Sequence, residues 1–404
     1  MSNPLSPRTI ELVKSTVPAL SARGSDITTV MYGKLFQDDH IRALFNHSNQ
    51  GDNGSQVHAL SGALIAYAQN IDKLDALVPV VERIAHKHIG YHILPEHYDY
   101  VARALLAAIE EVLAPDITQE VLEAWGEAYW FLADILINRE ADIRTTLENS
   151  KGGWNGWRKF KITAKQPESD VITSFTLSPV DGLPVLAHRP GQYLTLRLKL
   201  EDGRTIKRNY SISCAPNNDH YRISVKLEPN GQGGSRFLHE TAQIGDVIEL
   251  TPPTGDFFLP DEPERPVVLL SAGVGLTPMV SMAETIGAHY PDIETYYVHG
   301  ALNSRTHAMD KHVRQVAKQH GKMFVATFYS DPTNDDLCGK THDQDGYISP
   351  DWLSANTPFH NADFFLCGPK PFLRTMVYAL AKRGVKTDRI HYEFFGPTDE
   401  NIAA

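Results

Sequence analysis

The sequence predicts a multidomain chain: an all-α segment over 1–150, an antiparallel β-barrel over 151–262, and an α/β layer with a parallel sheet over 263–404. Three observations carry this. Up to residue 150 the apolar residues recur at helical spacing, with no strand-like alternation of any length. From Arg158 to Leu250 the chain alternates at period two between Gly/Pro turns. From Val267 onward, short continuous apolar runs separated by helical stretches read as strands covered on both faces.

Each element has a local reason. Ser6-Pro7 offers a capping hydroxyl and a first-turn proline, which predicts a helix start. Helical spacing continues over 25–36, 56–70, 77–89, 95–113 and 118–147, with Pro79, Pro95 and Pro115 near starts and connections. Lys151-Gly152-Gly153-Trp154 reads as a junction. Strands are predicted over 158–163, 193–198, 221–227 and 247–250, and Arg208 to Ser211 falls on a further barrel strand. In the last segment, Val267 to Leu270 leads into a glycine-rich turn and a helix, and further runs cover 295–298, 323–328 and 364–367.

Bulk properties narrow the function. A hydrophobic fraction of 42% and a charged fraction of 22% suit folded domains with real cores. A net charge of −11 without any basic block argues against a nucleic-acid surface. Cys214, Cys338 and Cys367 lie far apart, without the pair spacing of a zinc site or redox dithiol, so a reducing, cytoplasmic setting is expected. The N-terminus lacks a basic region followed by an apolar core, so no signal peptide is expected. No apolar run approaches the roughly 20 residues of a membrane span. Tyr129 to Ile137 contains Asp134 and reads as a buried helix.

Several residues point to chemistry. His88 ends an apolar stripe with Val81, Ile84 and Ala85, so its ring should face inward. The pattern alone leaves it as either a metal or haem ligand or a core histidine. Gly273-Val274-Gly275 follows a strand and precedes a helix, where backbone N–H groups can meet a pyrophosphate. Pro278 occupies the place of the third glycine of a dinucleotide fingerprint, so an ordinary turn is the alternative. In Arg208-Asn209-Tyr210-Ser211 a guanidinium suits a phosphate, a tyrosine ring can pack on an isoalloxazine and a hydroxyl can reach a flavin atom. A half-exposed strand is the alternative there. Tyr193, in Arg189-Pro190-Gly191-Gln192-Tyr193, adds a second aromatic.

Taken in order and spacing, these pieces resemble the ferredoxin–NADP reductase family over about 155–404. The resemblance implies that Tyr193, Arg208, Asn209, Tyr210 and Ser211 hold FAD. Gly234 and Ser235 match its diphosphate stretch less closely, because the chain here runs Asn230-Gly231-Gln232-Gly233-Gly234-Ser235. Gly273, Val274, Gly275, Leu276, Thr277 and Pro278 match the loop that takes NAD(P)H, with Thr-Pro replacing the third glycine, and Cys367-Gly368-Pro369 matches the segment near the nicotinamide. Phe394, Phe395, Gly396 and Pro397 resemble the tail that closes over the flavin, with Phe394 bulkier than a small residue, and Glu393 before them as a redox-tuning carboxylate. Ser304-Arg305 could meet a 2′-phosphate or form a solvated loop.

The helical segment resembles the globin domain of flavohaemoglobins, and with it the resemblance covers essentially the whole chain. It implies His88 as proximal ligand of haem b with Lys87 beside it tuning the redox centre, and Tyr98 and Glu140 as the pair against the imidazole. Tyr32 is the implied distal tyrosine, and Gln56, Leu60 and Phe45 complete the pocket. Ala124 to Tyr129 and Ile137 to Glu140 match as well. A neutral imidazole binds iron through one nitrogen while its other N–H seeks an acceptor. Tyr98 and Glu140 would polarise it toward O–O chemistry, and the Tyr32 hydroxyl would donate to bound O2. The expected activity is a nitric oxide dioxygenase, forming nitrate from nitric oxide and O2 with NAD(P)H through FAD and haem b. Its partners are those small molecules, with no protein partner implied. The alternatives are an anaerobic nitric oxide or alkyl hydroperoxide reductase, an oxygen carrier or sensor, and a plain flavin reductase. Leu60, Ile27 and their apolar neighbours would also admit a lipid or other apolar ligand.

Overall fold

The computed structural model describes residues 5–45, 55–73, 77–229, 231 and 233–396. They fall into two compact units, one ending at Asn149 and one spanning Ser150–Gly396.

The first unit is helical: α1 (Pro7–Ser15), α2 (Val17–Leu35), α3 (Asp39–Arg42), α4 (Ser55–Asn70), α5 (Val78–Tyr91), α6 (His97–Leu113) and α7 (Gln119–Asn149). Ser6 caps α1, its Oγ accepting the Thr9 N–H at 3.0 Å, and Pro7 sits in the first turn. Helix α2 begins at Val17, well ahead of the expected residue 25. Pro18 presets its first turn, and α1 passes into it at Thr16 without a loop, so periodicity alone did not separate the two. The short α3 escaped the sequence reading; the Asp38 carboxylate caps it by accepting the His40 and Ile41 N–H groups. Helices α4 and α6 pack on α2, and α7 packs on α1, α5 and α6. Leu20, Ile27, Ile109 and Trp125 are fully buried among them. Helix α5 stops at His92, whose φ of +56° is left-handed, and the Ile93 N–H closes on the His88 carbonyl at 2.8 Å. That closure fixes the last turn of α5, which carries His88.

The second unit holds two six-stranded sheets. Strands β1 (Arg158–Pro167), β2 (Ile172–Pro179), β3 (Tyr193–Lys199), β4 (Thr205–Ser211), β5 (Tyr221–Lys226) and β6 (Val247–Leu250) pair antiparallel in the order β4-β3-β6-β1-β2-β5. A bridge between Ile212 and Ile223 joins the two outer strands and closes the sheet on itself. A short helix, α8 (Gly234–Arg236), precedes β6. Strand β2 was not read from sequence. Its Ile172, Thr173, Ser174 and Phe175 are all buried, Phe175 in the barrel core and Ser174 on the opposite face, where it meets Ser224 of β5 at 2.8 Å, so burial on both faces blurs the alternation.

The other sheet is parallel throughout: β7 (Val267–Ala272), β8 (Thr295–Ala301), β9 (Met323–Tyr329), β10 (Gln344–Asp345), β11 (Asp363–Cys367) and β12 (Ile390–Glu393), ordered β10-β9-β8-β7-β11-β12. Helices α9 (Leu276–His289), α10 (Asp310–His320), α11 (Pro350–Asn356) and α12 (Lys370–Lys382) cover it. The chain starts at β7, runs outward to β10, and returns to place β11 on the other side of β7. The topological switch point therefore lies between the carboxyl ends of β7 and β11, where open α/β sheets bind ligands.

The barrel and the parallel sheet are joined through α9. Glu284 accepts from Arg222 at 2.6 Å, from the Ala215 amide at 2.7 Å and meets His312 at 2.6 Å. Burial alone would raise its carboxyl, but these partners hold it below its ordinary value. His188 sits between the Cys214 carbonyl and Ser281, and burial lowers its imidazole to about 4. The three cysteines are free thiols. Among the described residues no helix is long and apolar enough to cross a membrane.

Candidate functional site

In the helical unit, three of the expected residues form one hydrogen-bonded group. His88 Nδ1 lies 2.7 Å from Glu140 Oε1 and 2.9 Å from the Tyr98 hydroxyl, which itself donates to Glu140 Oε1 at 2.5 Å. Glu140 is 0% exposed. Arg144, one turn further along α7, reaches its other oxygen at 3.4 Å and is itself held by the Ile93 carbonyl. Sequence reasoning missed Arg144, although its i+4 spacing from Glu140 was a usable signal. Burial, reinforced by Glu140, pushes the Tyr98 phenol far up, so it remains a donor. The Tyr129 hydroxyl donates to the Tyr98 carbonyl at 2.7 Å and fixes the start of α6.

A histidine engaged through Nδ1 by a carboxylate presents Nε2 as its ligand atom. His88 remains about one-third exposed (31% of its side chain) within this otherwise buried group, which suits a ring facing a cofactor. Lys87 precedes it on α5 and is half-buried. Two nearby histidines are placed otherwise: His97 Nδ1 accepts the Leu94 N–H, and His92 forms the end of α5.

Tyr32, 8% exposed, belongs to an aromatic cluster. Its ring stacks on Phe36 with centroids 5.3 Å apart and meets Phe45 edge-on at 5.9 Å, while Phe36 and Phe45 meet at 5.2 Å. Phe36, one turn after Tyr32, was not singled out from sequence. Leu60 packs half-buried on the same hydrophobic core, which includes Ile27. The Gln56 side chain lies outside the described residues.

In the second unit the β3–β4 register pairs Tyr193 with Ser211 and Leu194 with Tyr210, so both tyrosines and the serine fall at one end of the pair. The Ser211 Oγ is buried and has no protein partner, as has Thr254 Oγ1, which follows β6. An unsatisfied buried hydroxyl is costly, and a flavin polar atom would satisfy it. Gly234, at the start of α8, faces Arg208: a Cβ there would lie 2.8 Å from Arg208 Cγ and 3.2 Å from the Tyr210 hydroxyl. This close approach beside a guanidinium suits a diphosphate. The Ser235 hydroxyl accepts the Glu228 N–H at 3.1 Å, and Asn209 faces Thr195 through its amide oxygen at 2.9 Å. These residues fit FAD. Thr254 carried no sequence signal.

The switch point is lined by the expected glycines. A Cβ on Gly275 would lie 2.7 Å from the Gly368 nitrogen and closer still to the Cys367 carbonyl, so only glycine lets the two loops meet. Gly273 holds φ at +55°. A Cβ on Gly368 would press on Phe372 at 2.9 Å, and Pro369 leads into α12. Leu276, Thr277 and Pro278 point into the core, with the Thr277 hydroxyl donating to the Val274 carbonyl at 3.1 Å, so they shape the loop from behind. Cys367 is fully buried, and burial, with Glu393 adjacent in the β11–β12 register, raises its thiol well above the ordinary value. Phe394 packs on the core beneath the sheet and covers Gly396, whereas Phe395 is 44% exposed. Phe395 is thus the exposed ring of this tail. Pro397 lies outside the described residues. Arg305 is engaged by Asp170 at 2.8 Å, and the Ser304 amide faces Asp336.

Comparison with known proteins identifies the domains and their family. The globin family model matches residues 30–136, the oxidoreductase FAD-binding domain 159–259, and the oxidoreductase NAD-binding domain 269–377. A flavohemoprotein of Xylella fastidiosa is 55% identical over 404 residues, covering 100% of both chains. A flavohemoprotein of Bacillus cereus is 45% identical over 401 residues, covering 97% of this chain and 98% of its own. The crystal structure of flavohemoglobin from Malassezia yamatoensis, with bound FAD and heme, superposes with a TM-score of 0.87 at 27% identity, covering 98% of this chain and 100% of that one. The FAD/NAD-binding domain of nitric oxide dioxygenase from Vibrio cholerae aligns with a TM-score of 0.54 at 37% identity, covering 59% of this chain and 99% of that one.

Proposed function

The chain belongs to the flavohemoprotein family, joining a haem globin to an FAD- and NAD-binding oxidoreductase, and on that premise we propose that it is an NAD(P)H-dependent nitric oxide dioxygenase forming nitrate from nitric oxide and O2. The observation that carries the reading is the buried His88–Tyr98–Glu140 group. When bound, haem supplies an iron centre for O2 chemistry, and FAD supplies the passage from a two-electron donor to single electrons.

The chain's own residues do the rest. Glu140 accepts at His88 Nδ1 and so makes Nε2 a more electron-rich ligand, which favours reaction over storage. Tyr98 and Arg144 hold the carboxylate in place. Tyr32 offers a hydroxyl to the gas within a wall formed by Phe36 and Phe45. Gly275 and Gly368 bring two loop backbones together at the switch point and so shape the crevice for the nucleotide, while Arg208, Gly234 and Ser211 receive the flavin. Three free thiols suit a reducing, cytoplasmic setting.

The test is NADH consumption with nitric oxide under air. Electron counting requires one NADH for two nitric oxide molecules, each recovered as nitrate. His88→Ala is expected to abolish nitrate formation while NADH still reduces an artificial acceptor. Turnover that forms no nitrate, or that runs equally fast without O2, overturns the proposal.

A further inference from the structure

The segment from the end of β9 through β10 carries a side-chain group that the proposed reaction does not use. Cys338, His342 and Asp345 bring a sulfur, an imidazole nitrogen and a carboxylate oxygen within 4.8 Å of one another. Among the described residues, no other group of three His, Cys, Asp or Glu side chains converges in this way. The geometry points to a binding site for a thiophilic divalent cation of the zinc class, with three protein ligands and a fourth position open to water.

Local structure sets up the ligands. Gly339, at φ +79°, turns the chain so that its N–H donates to the His342 carbonyl at 2.7 Å, and Cys338 bridges to His342. The His342 ring is 1% exposed and stacks on Tyr329, with centroids 4.3 Å apart and planes 16° apart. The Thr341 hydroxyl accepts the Leu337 N–H at 2.8 Å and meets His342 Nδ1 at 3.1 Å. This contact orients the ring so that Nε2 faces Asp345 Oδ1 at 2.6 Å. The Thr341 contact at Nδ1 is the outer hydrogen bond that orients a metal-ligating histidine, and it leaves Nε2 and Asp345 Oδ1 facing one another as two ligand atoms.

The remaining ligands can adjust. Zinc bonds of about 2.0–2.3 Å place tetrahedral ligands roughly 3.3–3.7 Å apart. Asp345 must therefore withdraw by about 1 Å and the thiol must close in, and both are exposed side chains. A thiolate and a carboxylate together balance a divalent charge. The nearby Asp343 is already committed to Arg314 and Thr327. Binding releases the thiol proton, so affinity should rise with pH. Cysteine spacing could not reveal this site, because only one of its ligands is sulfur.

The experiment uses the full-length protein loaded with haem and FAD, equilibrated with zinc and washed. Metal analysis is expected to find one zinc per chain beside the haem iron, with a zinc-edge absorption spectrum containing a single sulfur neighbour. Cys338→Ser should weaken zinc binding by at least about 100-fold and Asp345→Asn by about tenfold. Both variants should retain NADH-driven reduction of an artificial acceptor. A zinc environment without sulfur, or equal zinc retention by both variants, overturns the assignment.

Discussion

Tyr98→Phe isolates the contact at the centre of the haem-side group. The substitution keeps the ring and removes one hydroxyl. That hydroxyl donates at 2.5 Å to a carboxylate that is 0% exposed, so water cannot replace it. A hydrogen bond to a charged acceptor contributes about 1.5–3 kcal/mol. Glu140 keeps His88 and Arg144 and is not orphaned, so the loss should stay within that range. For a unit of this size it corresponds to a fall in Tm of about 4–10 °C. The assay follows the haem absorbance of the full-length protein during heating. Glu140→Gln provides the contrast: it removes the charge facing His88 Nδ1 and should alter the iron–histidine vibration, whereas Tyr98→Phe should leave the Nδ1–Glu140 contact in place. A Tm shift below about 1 °C in Tyr98→Phe would refute the claim that this hydrogen bond holds the group together.

Three further outcomes are expected. Ser211→Ala should cut FAD retention by about tenfold while leaving the apoprotein as stable or slightly more so, since an unsatisfied buried hydroxyl is removed. Parallel FAD titration and thermal melts separate the two effects, and unchanged FAD affinity would exclude the serine. Gly275→Ala should raise the KM for NADH by at least about tenfold, because the added methyl group meets the Cys367 carbonyl and the Gly368 nitrogen; steady-state kinetics with an artificial acceptor measure it, and a KM at the wild-type level contradicts the close packing. Glu284 is held below its ordinary value of 4.5, so its contribution is present above that value and lost as pH falls through the lower folded value. Melts of the wild type should therefore show the Ser150–Gly396 unit weakening in acid below about pH 4.5, with Glu284→Gln flattening that limb; parallel acid limbs would remove Glu284 from the account.

Much of the architecture could be read where one physical pattern dominates. The run Val267 to Leu270 is covered on both faces and gives a plain strand signal, and His88 stands out because its stripe faces a core. Reading failed where two demands compete. Strand β2 buries Thr173 and Ser174 on its two opposite faces, and Ser174 pairs with Ser224 across strands. Helices α1 and α2 meet at Thr16 with no loop residues to mark the change. In the nucleotide loop, sequence grouped Gly273 to Pro278 as a single binding stretch. The structure divides it, with Gly273 bordering open space, Gly275 buried against the Cys367–Gly368 loop, and Leu276, Thr277 and Pro278 turned into the core. Thr254 and the Cys338–His342–Asp345 group depend on chain reversals that no local pattern encodes.

The strand order of the parallel sheet also governs when the nucleotide crevice can exist. Strands β7 to β10 can pair with their neighbours as they leave the ribosome, but the far wall of the crevice is β11, which begins only at Asp363. Until then the open flank of β7 is an apolar edge awaiting its partner. The barrel strands all lie between Arg158 and Leu250, so they can close on one another before the crevice that takes the reductant has its second wall.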